Sequence, residues 1–143
     1  MTAIFQHDIV VAPSDIDMLG HASNIAFARW IQDTAVAHSA AVGLDVGTYK
    51  ELGAVFVVVR HEIDYLRPAF AGDVIESRTW VESVMAAKCV RATELVRRSD
   101  GQKLAKGLTT WAYIEIASGR PRRIAPSIRT AFSWNDPAPV STP

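Results

Sequence analysis

The stretch Asp15 to Asn24 (DIDMLGHASN) gathers two carboxylates, an imidazole and an amide around Gly20, and an apolar-rich helical pattern follows at once. One chemistry such a set could serve is metal binding. Asp15 and Asp17, two apart, with Gly20 at the sixth place, begin like a calcium loop. The fifth place is Leu19, however, and the twelfth, which should supply a bidentate glutamate, is Ala26. The histidines His7, His21, His38 and His61 are scattered and give no zinc spacing. No metal or cofactor is expected. A second chemistry is attack on a carbonyl. The first N–H groups of a helix beginning near Asn24 point back at the loop with partial positive charge and would polarise a carbonyl oxygen. A nearby carboxylate could attack that carbon or deprotonate a water, and a weak nucleophile of this kind suits an activated acyl group such as a thioester. Gly20 would let the backbone approach a substrate. The plain alternative is that Asp15 or Asp17 caps the turn and favours the helix dipole. Spacing alone leaves both open.

The elements that must position this loop are legible as a coarse order. Ile4 to Val11 reads as a short strand closed by Pro13-Ser14-Asp15. Asn24 to about Val42 lacks proline and glycine and is rich in alanine, with Ser23 or Asn24 as cap and Gly43 as stop. Phe27, Trp30, Ile31, Thr34, Ala35, Ala37 and Ala41 fall around more than one stripe, so burial on several sides is expected. Ala54 to Leu66 is a strand with Val57, Val59, His61, Ile63 and Tyr65 on one face and Arg60, Glu62 and Asp64 on the other. Val74 to Val84, Lys88 to Arg97 and Leu104 to Ile116 read as further strands, with an Asp100-Gly101 hairpin signal, and Pro126 to Phe132 as a short closing helix. Strand, long helix, then antiparallel strands make an α+β chain whose sheet curls around the helix.

Composition narrows the function classes. The 143 residues suit one domain with a sizeable core, about half of them apolar. Fifteen basic and fifteen acidic residues leave no global field for nucleic acid or an anionic membrane, and neither is expected as a partner. A single cysteine, Cys89, excludes an intrachain disulfide framework and suits a reducing compartment. The start, MTAIFQHDIVVAPS, lacks the basic and apolar regions of a signal peptide, and no segment is long enough to span a bilayer, so a cytoplasmic location is expected.

Three segments in order carry a family resemblance: DIDMLGHASNIAFARWIQDTA (Asp15 to Ala35), IDYLRPAFAGD (Ile63 to Asp73) and GQKLAKGLTTWAYIEIASGRPRRI (Gly101 to Ile124). Together, from about Phe5 to about Phe132, the chain resembles the hotdog-fold acyl-CoA thioesterases of the 4-hydroxybenzoyl-CoA thioesterase type. In that family an Asp-x-Asp-x-x-Gly-His-x-x-Asn run leads into the central helix. The resemblance implies a hotdog domain over residues 1–135, with 136–143 as a flexible tail, assembled as a homodimer or homotetramer with active sites between chains. It implies Asp17 as the catalytic carboxylate, Asp15 as structural, and backbone N–H groups near Ala22 to Ile25 polarising the carbonyl. Gly20, His21 and Asn24 would shape the substrate site. Phe27 would line it too, although many relatives have tyrosine there. Some hotdog enzymes use a carboxylate on the helix, which makes Asp33 the reserve.

Arg122, Arg123 and Arg129 are candidates for coenzyme A phosphates, since guanidinium forks suit phosphate oxygens; Lys88 and Arg91 are lesser ones. Trp30, Trp80, Trp111 and Trp134 could line an aromatic acyl pocket or simply pack. His61 and His38 read as packing groups and Cys89, without a partner histidine, as inert. No Gly-x-Ser-x-Gly turn supports a serine hydrolase. Hydrolysis of an acyl-CoA thioester is the leading expectation, with Asp17 as nucleophile or general base. Thioesters of the acidic acyl carrier protein are an alternative substrate, and a non-catalytic acyl-CoA binding module is an alternative class. The (R)-specific enoyl-CoA hydratases carry His five after Asp; here Gly20 is five after Asp15 and His21 four after Asp17, which argues against hydration.

Overall fold

The computed structural model describes residues 3–134. Alternating exposure makes Phe5–Val10 the first strand, β1, and Pro13 opens a 3-10 turn ending at the buried Asp15. The long helix α1 (Asn24–Ala41) starts at Ser23, whose hydroxyl accepts the Ala26 N–H at 3.1 Å. It stops at Gly43, which takes a left-handed φ of 88°. There the Leu44 N–H reaches the Ser39 carbonyl at 2.8 Å and the Gly43 N–H that of Ala40 at 3.0 Å, the bond pair of a Schellman motif. Then follow α2 (Val46–Leu52), β2 (Ala54–Tyr65), β3 (Val74–Val84), β4 (Lys88–Arg97), β5 (Lys103–Glu115) and α3 (Pro126–Ala131). The strands form one antiparallel sheet in the order β1-β3-β4-β5-β2. Wrapped around α1, it is the hotdog fold of an α+β chain. The helix lies tight against the sheet at Gly107, where a Cβ would stand 3.1 Å from Ile31 Cδ1.

Three features differ from expectation. The helix is buried along one stripe (Ala26, Phe27, Trp30, Ile31, Thr34, Ala35), not on several sides, because one chain's sheet covers only that face; Ile25 and Val36 stand out in solvent. In β2 a bulge between Val58 and Arg60 resets the alternation, so Phe56 and Val58 face inward before it and Ile63 after it, while Val59 is exposed. The short α2 was not anticipated: it buries no residue, and its signals are only the Asp45 cap on Thr48 and the left-handed Gly53 at its end. The expected tail, 136–143, lies outside the described residues.

The core divides in two. One cluster packs Phe27, Trp30 and Ile31 against Ile75, Leu95 and Leu104; the other gathers Trp111, Tyr113, Ile124, Ile128 and Phe132. Between them runs a polar belt. Thr34 Oγ1 donates to the Trp30 carbonyl (2.7 Å) and lies 2.6 Å from Ser77 Oγ and 3.0 Å from His7 Nε2. Thr79 Oγ1 donates to the Ala92 carbonyl at 2.8 Å, and Arg91 Nη1 donates to Thr79 Oγ1 (3.3 Å) and to His38 Nδ1 (2.8 Å). Pairing of this kind removes most of the penalty for burying the hydroxyls.

His38 must accept from Arg91, so its imidazole is neutral. Burial, reinforced by the Arg91 charge, holds its pKa down at about 4, against an ordinary 6.5. Between those values the unfolded chain binds a proton that the folded chain does not, so stability is full above pH 6.5 and falls as pH drops towards 4. Allowing for the ring's partial exposure, the loss is on the order of 1–2 kcal/mol. Urea unfolding at pH 7 and 4.5 should show wild type losing that much more than His38→Gln; equal losses would clear His38 of the effect.

Candidate functional site

Asp15 and Asp17, so close in sequence, have separate surroundings. Asp15 is buried: Oδ1 accepts an ion pair from Arg29 of α1, Oδ2 accepts the Ala12 N–H at 3.0 Å, and its carbonyl accepts the Ser23 N–H at 3.0 Å. It fastens the 3-10 turn to the helix start. Asp17 is exposed and opens a tight turn. Its carbonyl accepts the Gly20 N–H (3.0 Å), its N–H donates to the His21 carbonyl (3.0 Å), and an Ile16–Ala22 bridge closes the loop. Gly20 has φ of 86°, a conformation side chains resist. Asp17 Oδ1 accepts the Leu19 N–H at 2.9 Å, while Oδ2 has no protein partner among the described residues.

The loop narrows the set of carbonyl-polarising donors. Of the four N–H groups expected between Ala22 and Ile25, that of Ala22 goes to the Ala69 carbonyl (2.8 Å) and that of Ser23 to Asp15. Asn24 and Ile25, the first two helical residues, have no acceptor among the described residues, and Ala26 is taken by Ser23. His21 is half-buried with Nδ1 3.4 Å from the Ala22 carbonyl, and the Asn24 side chain is exposed beside Tyr65, whose hydroxyl donates to the Asn24 carbonyl at 3.4 Å. Met18, Leu19, Ile25, Leu66 and Phe70 are exposed on this loop, the helix start and the adjoining segment after β2. Gly20, His21 and Asn24 therefore come together with Asp17.

Other candidates do not join them within one chain. Phe27 is in the core, between Trp30 (5.1 Å) and Tyr65 (5.5 Å), so its ring fills the interior instead of lining an open site. Asp33 is exposed, nine residues beyond Asn24, about 14 Å along the helix. Arg122 and Arg123 are exposed in the turn after β5, with Arg122 Nη1 donating to the Leu52 carbonyl at 3.1 Å. That turn flanks the start of β2 and the Asp17 loop flanks its end, about 35 Å away for a strand of this length. Arg129 is buried and donates to the Met85 carbonyl at 2.8 Å, which removes it from the surface arginines. Arg91, 4% exposed, is likewise interior.

The model of the thioesterase-like superfamily matches residues 11–132. The chain belongs to that superfamily. Membership supports thioester hydrolysis as the class of reaction for this thioesterase-like chain. Its sequence matches no curated protein. Among solved structures, it is similar to the 1,4-dihydroxy-2-naphthoyl-CoA thioesterase Slr0204 from Synechocystis, with a TM-score of 0.84 and 18% identity over 92% of this chain and 96% of that one. The DHNA-CoA thioesterase from Staphylococcus aureus gives 0.84 and 19% over 91% and 89%. The Staphylococcus aureus protein SAV2348, in complex with CoA, gives 0.85 and 16% over 93% and 84%. At such identities these likenesses establish the fold.

The thioesterase-like chain also holds a solvent-open pocket of about 260 Å³ between the C-terminal half of α1, α2 and the sheet, with Arg91, Trp111 and Trp134 on its lining. The sequence carried one signal for it. Arg91 has the same parity in β4 as the buried Cys89, Thr93 and Leu95, so it had to point inward.

The Asp15–Arg29 pair supports the loop asymmetrically, since the Asp15 side chain is 7% exposed and that of Arg29 50%. Removing Arg29 strands a buried carboxylate, whereas neutralising Asp15 leaves a cation that water can reach. Arg29→Ala should cost about 3 kcal/mol and Asp15→Asn about 1 kcal/mol in urea unfolding. The reverse order would mean that the pair does not anchor the loop.

Proposed function

We propose that this chain hydrolyses acyl-CoA thioesters, with Asp17 as the reacting carboxylate and the Asn24 and Ile25 N–H groups as donors to the thioester oxygen. The observation that carries the reading is a solvent-facing carboxylate, free at Oδ2, on a loop that runs into a helix start with two unused N–H groups. Negative charge developing on the carbonyl oxygen would fall where those donors and the helix dipole favour it. As general base, Asp17 takes a proton from water while the water oxygen bonds to the acyl carbon. The tetrahedral oxyanion then collapses, the C–S bond breaks and the thiolate leaves with the proton. As nucleophile, Asp17 bonds to the acyl carbon as the C–S bond breaks and the thiolate leaves; water then opens the acyl anhydride, freeing the acid and the Asp17 carboxylate and giving its proton to the thiolate. Transfer of oxygen-18 from labelled water into the protein during a single turnover separates the second route from the first. Gly20 lets the loop turn, and His21 and Asn24 shape its walls.

The site is completed, on this reading, by a second copy. Strand β2 lies at the sheet edge with its outer hydrogen-bonding groups unpaired among the described residues, and exposed Val59, Tyr65 and Leu66 lie on or beside it. Antiparallel pairing of β2 with its twin would bring the second copy's Arg122 and Arg123 from the far end of the sheet to the Asp17 loop, where they suit the phosphates of coenzyme A. It would also cover the apolar residues around the loop, an exposed group of a kind that marks an interaction site.

Thiol release should be measured on short, long and aromatic acyl-CoAs, the aromatic ones because two structural neighbours are named for such a substrate. Asp17→Asn should lower kcat about a hundredfold or more, at least about 2.7 kcal/mol of barrier, and still bind the substrate. Arg122→Ala with Arg123→Ala should raise KM and leave kcat. If Asp17→Asn keeps most of the rate, the carboxylate lies elsewhere and Asp33 is next. If no thioester is cleaved while acyl-CoA binds, the chain is a binding module.

A further inference from the structure

Within one chain the pocket lies apart from the Asp17 loop. Its wall includes Ala35 and Ser39 of α1, and Ser39 lies fifteen residues beyond Asn24, about 22 Å along the helix from the Asp17 end. For scale, a cavity of about 150 Å³ accepts benzene, so about 260 Å³ holds a substituted ring or a hydrocarbon chain of medium length. Most of the wall is apolar.

The polar groups on that wall are unbalanced. Ser39 and Tyr49 face one another at 3.2 Å, and Asp45, exposed at the mouth, accepts from the N–H and hydroxyl of Thr48 at 2.8 Å. What remains is donor-only. Arg91 makes both of its hydrogen bonds through Nη1, to His38 and Thr79, and its charge lies 5.8 Å from the Phe132 ring centre. Nε and Nη2 of the fork have no acceptor among the described residues, and no carboxylate pairs with the guanidinium there. The titratable neighbours carry no compensating charge. Burial pushes the Cys89 thiol up to about 11 and raises Tyr49, while His38 is held neutral. A buried cation with free donors on one apolar space calls for an acceptor with negative charge.

We infer that this cavity binds a small carboxylic acid with an apolar body, its carboxylate held by the free donors of the Arg91 fork. His38 and Thr79 engage only Nη1, which leaves the rest of the fork for the ligand. The inference does not depend on the role given to Asp17.

Calorimetric titration of the full chain with octanoate, and with octanamide and 1-octanol as uncharged counterparts, tests it. Octanoate should bind once per chain, and the neutral compounds about tenfold or more weaker, as loss of a charge-assisted bond implies. Ala40→Trp, at the cavity mouth, should abolish octanoate binding, and Asp17→Asn should leave it intact. Arg91→Met should bring the three ligands to similar affinity. Should that variant fail to fold, the counterparts and Ala40→Trp decide alone. No octanoate binding, or equal affinity for all three in wild type, would overturn the inference. So would loss in Asp17→Asn with retention in Ala40→Trp, which would put octanoate at the Asp17 loop as a hydrolysis product.

Discussion

The close seating of one face of α1 on the concave side of the sheet is the constraint from which the other features follow. Ile31 meets Gly107 so closely that even a methyl group there would force it to give way. That seating fixes the axial position of the helix and therefore where its N-terminus emerges. The Asp17 loop is then held from three sides: by the Asp15–Arg29 pair to α1, by the Ala22–Ala69 bond to the segment after β2, and by Ser23 to the first turn. A carboxylate on an exposed turn is ordinarily mobile. This one projects from a turn whose base is fixed by buried groups, which is the preorganisation that electrostatic stabilisation of a reacting carbonyl requires.

The same seating divides the interior. At the N-terminal half of α1, Phe27, Trp30 and Ile31 fill the space with no gap of note. At the C-terminal half the inward residues are Ala35 and Ser39, too small to reach the sheet, and a cavity is left. The belt of Thr34, Ser77, Thr79 and Arg91 stands between the two. Polar groups in that position limit which register of helix on sheet is tolerated, because a shift by one turn would strand Thr34 and Ser77 without partners. The two ends of one helix thus face different chemistry: unused backbone donors in solvent at one, buried side-chain donors in an apolar hollow at the other.

Much of this architecture was legible in the residues. The strand limits of β3 and β4 follow from alternation bounded by turn residues, and α1 from its cap, its alanines and Gly43. Local signals were sufficient there. They failed where the deciding contact was remote. The parity of β2 flips at Val59 because of a bulge against β5, which no run of valines announces. Phe27 and Arg129 looked available from their neighbours in sequence, but the first is claimed by Tyr65 and the second by the Met85 carbonyl, each some forty residues away. Asp15 and Asp17 were nearly equivalent by type and spacing. Only the position of Arg29 one turn into the helix, and the 3-10 turn before them, separate a buried anchor from an exposed carboxylate.

Some of the exposed apolar residues gather where the proposed second copy would dock. Met18, Leu19, Ile25, Tyr65, Leu66 and Phe70 are not scattered: they belong to the loop, the first helical turn and the end of the edge strand, all at one end of the molecule. Hydrophobic side chains kept in water beside an open strand edge are a liability unless something covers them. The surface that is chemically equipped is thus also the surface that is unfinished. Arg122 and Arg123, the exposed arginines suited to a phosphate, lie at the opposite end of the same edge strand. The proposed two-fold axis across β2 would answer both facts with one operation, covering the apolar end of each chain with the basic end of the other. Geometry that sets the arginines apart from the carboxylate and its neighbouring donors in one chain is what the proposed site, shared between two copies, requires.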